Sequence, residues 1–518
     1  MVNKKTRFIA SLQVGFLNWD NTPYNHLIFT HMSNQPNIIY PTLNLLLYDL
    51  KNGLGDDEAT INNRCKAFCE KIFGDLKAKE FDEAYKQIQK YQYQETDGID
   101  LLANRFRIFT SPKDGYYYPR QFGDTYALLV DYSGKLNADA KPDDQPQEIK
   151  DQPFYKLKAE IQTRISQKHN QTQTADDDYE AGTIGQTWLA WGKLTEKKSD
   201  VEITEIAKQC YTQIATKYHK WDIDLIEQGN LFGGTLFELW YIPEIAGLTG
   251  KEFWEKFRKE SHHVLIWLFP ADISADDMRD QVKTVYQDLL RLFQYRHKVV
   301  WGYYQSLYQK AKLKTEFIQV QASINAAREL ETQLKTNQLN LTSLQKTLTE
   351  TLVTLSDYTI ELNYLDDQIR SIKTNLENYK YRLAEINRKY PGSDLKFLQQ
   401  FSESEIYGIK YLRQAETDYA NLNPGLNVLQ NLSNTLQSIT QLEQTKSDRK
   451  LDNTIALVGV GLAISSVTVT VATAYLPKPK DYSNYDLSIL ISPAFVFSVA
   501  FSVGCTILGY KAIRRFRR

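Results

Sequence analysis

Residues 334–386 read LKTNQLNLTSLQKTLTETLVTLSDYTIELNYLDDQIRSIKTNLENYKYRLAEI, and this stretch decides the fold of the C-terminal half of the chain. Every seventh residue is Leu or Ile, and the positions are Leu334, Leu341, Leu348, Leu355, Leu362, Ile369, Leu376 and Leu383. Such a repeat predicts a left-handed coiled coil over residues 301–390. A single helix from about Leu307 to Lys389 would be roughly 120 Å long.

The chain is expected to turn back after this helix. Tyr390-Pro391-Gly392-Ser393 ends it, and residues 394–450 supply returning helices with a further break predicted at Asn423-Pro424-Gly425. The apolar seam can be filled by the returning helix, by other copies of the chain, or by both. The sequence leaves these alternatives open.

Two uncharged segments follow, residues 454–476 and residues 487–510. Each is longer than the ~20 residues that cross the hydrocarbon core of a bilayer, so we predict two transmembrane helices joined by an outer loop over 477–486. Basic residues precede the first segment and fill the tail 511–518. By the positive-inside rule, this predicts an integral protein of the plasma or inner membrane with both termini cytoplasmic.

One face of the first predicted span carries small or hydroxylated residues at spacings of four and three. They are Gly459, Ala463, Ser466, Thr470 and Thr473. Small residues allow close helix packing in lipid, and hydroxyls can also line a wet path. The face is therefore a candidate packing surface or a candidate pore lining.

Residues 1–300 alternate short strand and helix signals, which predicts an α/β or α+β cytoplasmic domain with polar linkers near 137–152 and 169–182. Predicted strands are Arg105–Phe109, Thr125–Tyr132, Trp188–Lys193, Leu236–Tyr241 and Val264–Phe269. Predicted helices are Glu58–Phe73, Phe81–Tyr91, Phe154–Ser166, Val201–Thr216 and Lys251–Lys259.

A short motif, apolar-Gly-x-Thr-apolar, occurs three times in this region. Its copies are Phe122-Gly123-Asp124-Thr125-Tyr126, Ile184-Gly185-Gln186-Thr187-Trp188 and Phe232-Gly233-Gly234-Thr235-Leu236. It is either a turn that presents backbone amides to a ligand or a recurring entry into a strand. His262 and His263 form the single histidine pair, and adjacent strand residues point to opposite faces, so no shared metal is expected.

Several function classes are disfavoured by composition. Lys+Arg and Asp+Glu are balanced at 62 and 63, which gives no support for nucleic-acid binding. The four cysteines do not have the spacing of a zinc or disulfide framework. Motifs such as G-x-x-x-x-G-K-[ST], G-x-G-x-x-G, H-E-x-x-H and G-x-S-x-G are absent from the sequence. We therefore expect neither an enzyme nor a cofactor or metal site.

The order of these parts resembles the CorA-type magnesium channel family: a cytoplasmic domain, long helices, two spans and a basic tail. The family's Gly-Met-Asn signature is missing, because the matching position reads Ala472-Thr473-Ala474-Tyr475-Leu476-Pro477. The resemblance implies an oligomeric ion channel or pore gated by a cytoplasmic sensor domain. The alternative is a membrane-tethered coiled-coil scaffold that recruits partners without transport.

The expected partners follow from these two hypotheses. They are membrane lipid, further copies of the same chain in a homo-oligomer, and a small molecule or protein bound by residues 1–300. No nucleic acid is expected.

Overall fold

The computed structural model describes residues 37–94, 96–166, 182–215, 220–241, 250–336 and 338–446. Within them the chain forms an α+β body followed by long helices. The strands are β1 (Asn37–Leu50), β2 (Asp97–Asp100), β3 (Arg107–Ile108), β4 (Lys113–Phe122), β5 (Thr125–Lys135), β6 (Pro146–Glu148), β7 (Gly185–Leu194), β8 (Leu225–Leu231), β9 (Gly234–Tyr241) and β10 (His262–Phe269).

All these strands belong to one mixed sheet with the order β2-β4-β5-β1-β7-β10-β9-β8, while β3 pairs with β4 and β6 with β1. The β7–β10 pair is parallel and the other pairs are antiparallel. β1 lies in the centre because its run of apolar residues is buried on both faces of the sheet.

Helices cover both faces of the sheet. They are α1 (Glu58–Phe73), α2 (Ala78–Gln89), α3 (Pro153–Ile165), α4 (Asp200–Ile214), α5 (Trp221–Asp224), α6 (Gly250–Glu260), α7 (Ala275–Lys335), α8 (Leu341–Lys389), α9 (Lys396–Glu403) and α10 (Gly408–Lys446). Successive side chains of β1 point to opposite faces of the sheet. Leu43, Leu45 and Leu47 pack towards α1, α3 and α4, whereas Leu46 and Tyr48 pack towards α7.

α7 is shared by the body and the long helical arm. It has 61 residues, which corresponds to a length of about 90 Å. Its first half buries Val282, Leu289 and Phe293 against the sheet, and its second half buries Leu313 and Val320 against α8 and α10. The domain boundary predicted at residue 300 therefore falls inside a continuous helix.

The predicted coiled-coil helix over 301–390 is divided into two antiparallel helices. α7 ends at Lys335, and α8 begins after Asn340, whose side chain caps it by accepting from the Thr342 and Ser343 amides. The heptad leucines then fill a seam between α7, α8 and α10 of the same chain. Near the tip this seam contains Leu330, Leu344, Leu348, Leu352 and Leu436.

The predicted break at Asn423-Pro424-Gly425 is wrong, because α10 continues through Pro424. α8 contacts α10 next to the proline, where the Tyr358 hydroxyl donates a 2.7 Å hydrogen bond to the carbonyl oxygen of Leu422. Gly425 allows this approach, since a Cβ there would lie 2.7 Å from the tyrosine oxygen. Packing from α8 thus outweighs the local preference for a turn.

Tyr358→Phe is expected to lower the free energy of unfolding by about 1 kcal/mol, because the half-buried hydrogen bond between α8 and the Leu422 carbonyl is lost. Urea denaturation followed by circular dichroism measures the change. Tyr381→Phe on the same helix is the control, since Tyr381 is 68% exposed and its variant should match the native protein. Equal effects of the two substitutions would contradict the assigned role of Tyr358.

The prediction of an integral membrane protein is contradicted by the length and polarity of the helices that the structure describes. None of the helices in the described ranges is both long enough and apolar enough to cross a bilayer. α7 and α8 bury one apolar stripe and expose charged pairs, Glu331–Lys335 on α7 and Asp366–Arg370 on α8, whereas a spanning helix is apolar on all sides. The two-span fold class and the location in the plasma or inner membrane are therefore not supported.

Several predicted segments lie outside the described residues. These are 454–476, the loop 477–486, 487–510 and the tail 511–518. Of the two predicted polar linkers, 137–152 contains β6, and 169–182 is outside the described residues except for Gly182.

Candidate functional site

A chain of buried polar side chains lies between the sheet and α7, where the arm begins. The Thr187 hydroxyl oxygen is 2.8 Å from Nδ1 of His263 and 2.8 Å from Nε2 of His297. The other ring nitrogen of His263, Nε2, is 3.0 Å from Oε1 of Glu238. Thr187 and Glu238 are fully buried, and the two histidines are nearly so. We call these four residues the polar chain.

Strand pairing places the polar chain on one face of the sheet. Thr187 of β7 is paired in register with His263 of β10, and His263 is paired with Trp240 of β9. Glu238 lies two residues before Trp240, so its side chain points to the same face. α7 packs on that face and brings His297 to Thr187.

Arg296 approaches the polar chain from α7. Its Nε is 3.6 Å from Oε1 of Glu238, which is an ion pair without a hydrogen bond. Its guanidinium lies 4.3 Å from the ring centre of Trp240 and 4.8 Å from that of Phe401. Among the described residues, none of its three side-chain nitrogens has a hydrogen-bond partner. A buried arginine held mainly by aromatic faces and one carboxylate is an energetically costly arrangement.

Burial controls the protonation of these groups. It raises the pKa of Glu238 to about 7, with the positive charge of Arg296 acting in the opposite direction. Burial, reinforced by Arg296, lowers the pKa of His263 and of His297 well below 6.5. Both rings are therefore neutral near pH 7, and Glu238 is the group in the polar chain that titrates there.

A narrow crevice reaches His297 from the side of α6. It is lined by Gly182, Ile184, Gly185, Gln186, Trp240, Phe257, Arg258, Ser261, His297 and Val300. Gly185 keeps the ring accessible, because a Cβ at this position would lie only 2.5 Å from Nδ1 of His297. The crevice thus connects one end of the polar chain to the surroundings of α6.

A second buried polar cluster lies further along the same face, nearer the start of α7. Oδ2 of Asp131 accepts hydrogen bonds from Asn44 at 2.6 Å and from the Tyr286 hydroxyl at 2.8 Å. The Trp191 indole donates to Asn44 Oδ1 at 2.7 Å. Burial raises the pKa of Asp131 to about 7, and the two donors only partly oppose this effect.

Asp131→Asn is expected to change the pH dependence of stability. Because the native pKa is raised, the native state retains a proton between about pH 4 and 7 that the unfolded chain has released, so stability falls as the pH rises through this window. The amide removes this loss, which is worth up to about 4 kcal/mol for a shift of about three pKa units. At pH 8 we expect a net gain of about 2 kcal/mol over the native protein.

Urea denaturation at pH 5, 6, 7 and 8 measures this difference. The exposed Asp139→Asn variant is the control and should follow the native curve. A constant difference between Asp131→Asn and the native protein at every pH would contradict the raised pKa.

Only some of the predicted site residues lie within the described ranges. The small-residue face Gly459, Ala463, Ser466, Thr470 and Thr473 lies outside the described residues. His263 belongs to the polar chain, whereas His262, its neighbour on the strand, points to the other face. Within the part of the chain that the structure describes, no cluster of three or more metal-ligating side chains occurs.

The three Gly-x-Thr motifs are not equivalent. The first and third form tight hairpin turns, between β4 and β5 and between β8 and β9, with Gly123 and Gly233 at positive φ. In the second, Gly185 packs on His297 and Thr187 joins the polar chain. Glu238 and Arg296 were not predicted. For Glu238 the signal in the sequence is a single charged residue inside the strand 234–241, which is otherwise uncharged and mostly apolar.

Comparison with protein-family models, with curated proteins and with solved structures finds no match. The fold therefore defines this chain by its architecture, an α+β body attached to a three-helix arm. The resemblance to CorA-type channels stays a prediction.

Proposed function

We propose that the chain is an interaction scaffold, in which a rigid three-helix arm holds the α+β body at a fixed distance from the arm tip and associates with a second copy. The observation that supports it most is the continuity of α7, which packs on the sheet and then forms one of the three helices of the arm. From Gly302 to Lys335 it projects about 50 Å.

The apolar seam of the arm is filled by the three helices of a single chain. Leu313, Val320, Leu362, Leu365 and Leu429 are buried between α7, α8 and α10 of one chain. Association of copies therefore does not need the heptad leucines. We place it on the outer surface of the arm instead.

The outer surface of α8 carries exposed apolar residues at one heptad position, the one furthest from the seam. Val353 is 56% exposed, Ile360 is 48% exposed, and Tyr381 is 68% exposed. Val353 and Ile360 are seven residues apart, which places them on one face about 10 Å apart. Apolar side chains in this repeat on the otherwise polar outer surface of a helix are typical of a surface that contacts another helix.

The test is the double substitution Val353→Lys with Ile360→Lys, measured by size-exclusion chromatography with light scattering. We expect the native protein to be larger than one chain and the variant to be monomeric, because two lysines cannot be buried unpaired. Circular dichroism should show that the helices remain, since both residues lie outside the seam.

Thr374→Lys is the matched control, since Thr374 is exposed at the same heptad position. It should leave the oligomeric state unchanged. A native protein that is monomeric at all accessible concentrations, or a variant that assembles like the native protein, would contradict the proposal.

A further inference from the structure

The hydrogen bonds of the polar chain depend on one another. A hydroxyl has a single hydrogen, so Thr187, which lies 2.8 Å from both rings, donates to one histidine and accepts from the other. Each neutral imidazole likewise has one protonated and one bare nitrogen. Fixing the proton at one end of the polar chain therefore fixes every bond along it.

Two arrangements satisfy all the contacts. With Glu238 ionised, Nε2–H of His263 donates to the carboxylate, the Thr187 hydroxyl donates to His263 Nδ1, and Nε2–H of His297 donates to Thr187. Nδ1 of His297 is then bare. With Glu238 protonated, the carboxyl donates to His263 Nε2 and each later bond reverses, so Nδ1 of His297 carries a hydrogen.

We infer that the polar chain is a reversible proton relay between the crevice and the Glu238–Arg296 ion pair. A hydronium in the crevice gives its proton to Nδ1 of His297 and becomes water. His297 passes its Nε2 proton to Thr187, Thr187 passes its hydrogen to His263 Nδ1, and His263 passes its Nε2 proton to Glu238. One proton is gained by Glu238, and neither ring is left charged.

The groups around the polar chain favour the state in which Glu238 is protonated and both histidine rings are neutral. Arg296 on α7 is close to both rings and disfavours an imidazolium at either position. Glu238 is affected by Glu227 on β8, and it faces Tyr379 on α8 and Tyr407 just before α10. Around His297 the polar groups are Tyr48 on β1 and, across the crevice, Arg258 and Ser261 near α6. The raised pKa of Glu238 agrees with a carboxylate that accepts the proton near neutral pH.

The relay would link the crevice to the base of the arm. Protonation of Glu238 removes the only carboxylate within ion-pair distance of Arg296 among the described residues. Arg296 rests on Phe401 of α9 and on Trp240. Trp240 also contacts Tyr407, just before α10, and Tyr411 in the first turn of α10. This inference goes beyond the proposed scaffold and does not depend on it.

Nitrogen NMR of the full-length protein labelled with 15N-histidine tests the relay. The protein has seven histidines, and the His297 signals are assigned by their loss in His297→Gln. We expect His297 to carry its hydrogen on Nε2 above pH 7 and on Nδ1 below it, with a midpoint that matches the 13C titration of Glu238.

Variants at Thr187 separate the relay from a structural role. Thr187→Val removes the hydroxyl at nearly constant shape and should leave one tautomer of His297 at every pH. Thr187→Ser keeps the hydroxyl and should keep the exchange. Thr204→Val, at a half-buried position of α4 on the other face of the sheet, should behave like the native protein.

Three outcomes would overturn the relay. The first is a single His297 tautomer in the native protein throughout the titration of Glu238. The second is an imidazolium at His297, and the third is a tautomer exchange that persists in Thr187→Val. If Thr187→Val fails to fold, the comparison of the native protein with Thr187→Ser still tests the relay. Loss of the tautomer exchange in Thr187→Ser would also contradict it.

Discussion

Arg296→Met is expected to lower the free energy of unfolding by about 3–5 kcal/mol at pH 8, because it leaves the buried carboxylate of Glu238 without its cation. Methionine retains the aliphatic part of the side chain between Trp240 and Phe401, so the loss reflects charge more than volume. At pH 6 the loss should be smaller, because protonation of Glu238 removes the unpaired charge. Urea denaturation at the two pH values measures both effects.

The matched control is the double variant Arg296→Met with Glu238→Gln. Glutamine retains an acceptor for Nε2 of His263 but has no charge, so the double variant should lie within about 1.5 kcal/mol of the native protein. A double variant no more stable than Arg296→Met would mean that the ion pair does not determine the loss.

Gly302→Pro is expected to cost about 3 kcal/mol or more and to loosen the arm from the body. Proline at this position removes a hydrogen bond inside α7 and places its ring against the preceding turn. The position also packs closely on α8, since a Cβ there would lie 3.0 Å from Cγ1 of Ile372. The loss of helical circular dichroism with urea measures the stability.

Gly302→Ala separates the helix break from the added side chain. The gain in helix propensity of about 1 kcal/mol opposes the tight contact with Ile372, so we expect a change within about 1 kcal/mol. If Gly302→Pro and Gly302→Ala are equally stable, α7 is not continuous at this point in solution.

The regular elements of the body could be predicted where one face is buried and local signals agree. α1 covers the predicted range Glu58–Phe73, and it begins after Asp57, which accepts from the Thr60 amide as a helix cap. β1 was not predicted. It is buried on both faces, so its residues do not alternate between apolar and polar, and this pattern does not distinguish a strand from a buried helix.

The heptad repeat alone does not determine how many helices form the arm. The heptad repeat indicates that residues 334–386 bury a seam, but the same repeat suits one long helix or two antiparallel helices. The turn before α8 is marked by a local signal, the cap that Asn340 forms with the Thr342 and Ser343 amides. The path of α10 through Pro424 accompanies a hydrogen bond from Tyr358 in another helix, a tertiary contact that local sequence patterns do not contain.

The polar chain was only partly visible in the sequence. The motif at 184–188 contains Gly185 and Thr187, and the histidine pair contains His263. Thr187 is 76 residues from His263 and 110 residues from His297, so only the register of β7 with β10 and the packing of α7 bring them together. The Glu238–Arg296 pair depends on the same packing.

The distance between the body and the arm tip tests the central claim, that α7 joins them as one rigid unit. Spin labels at Val201→Cys on α4 and Lys335→Cys at the end of α7 can be measured by double electron–electron resonance. Cys65, Cys69 and Cys210 are buried, and Cys505→Ser removes the remaining thiol. We predict one narrow distance distribution in the native protein that broadens in Gly302→Pro. A broad or two-peaked distribution in the native protein would contradict the claim.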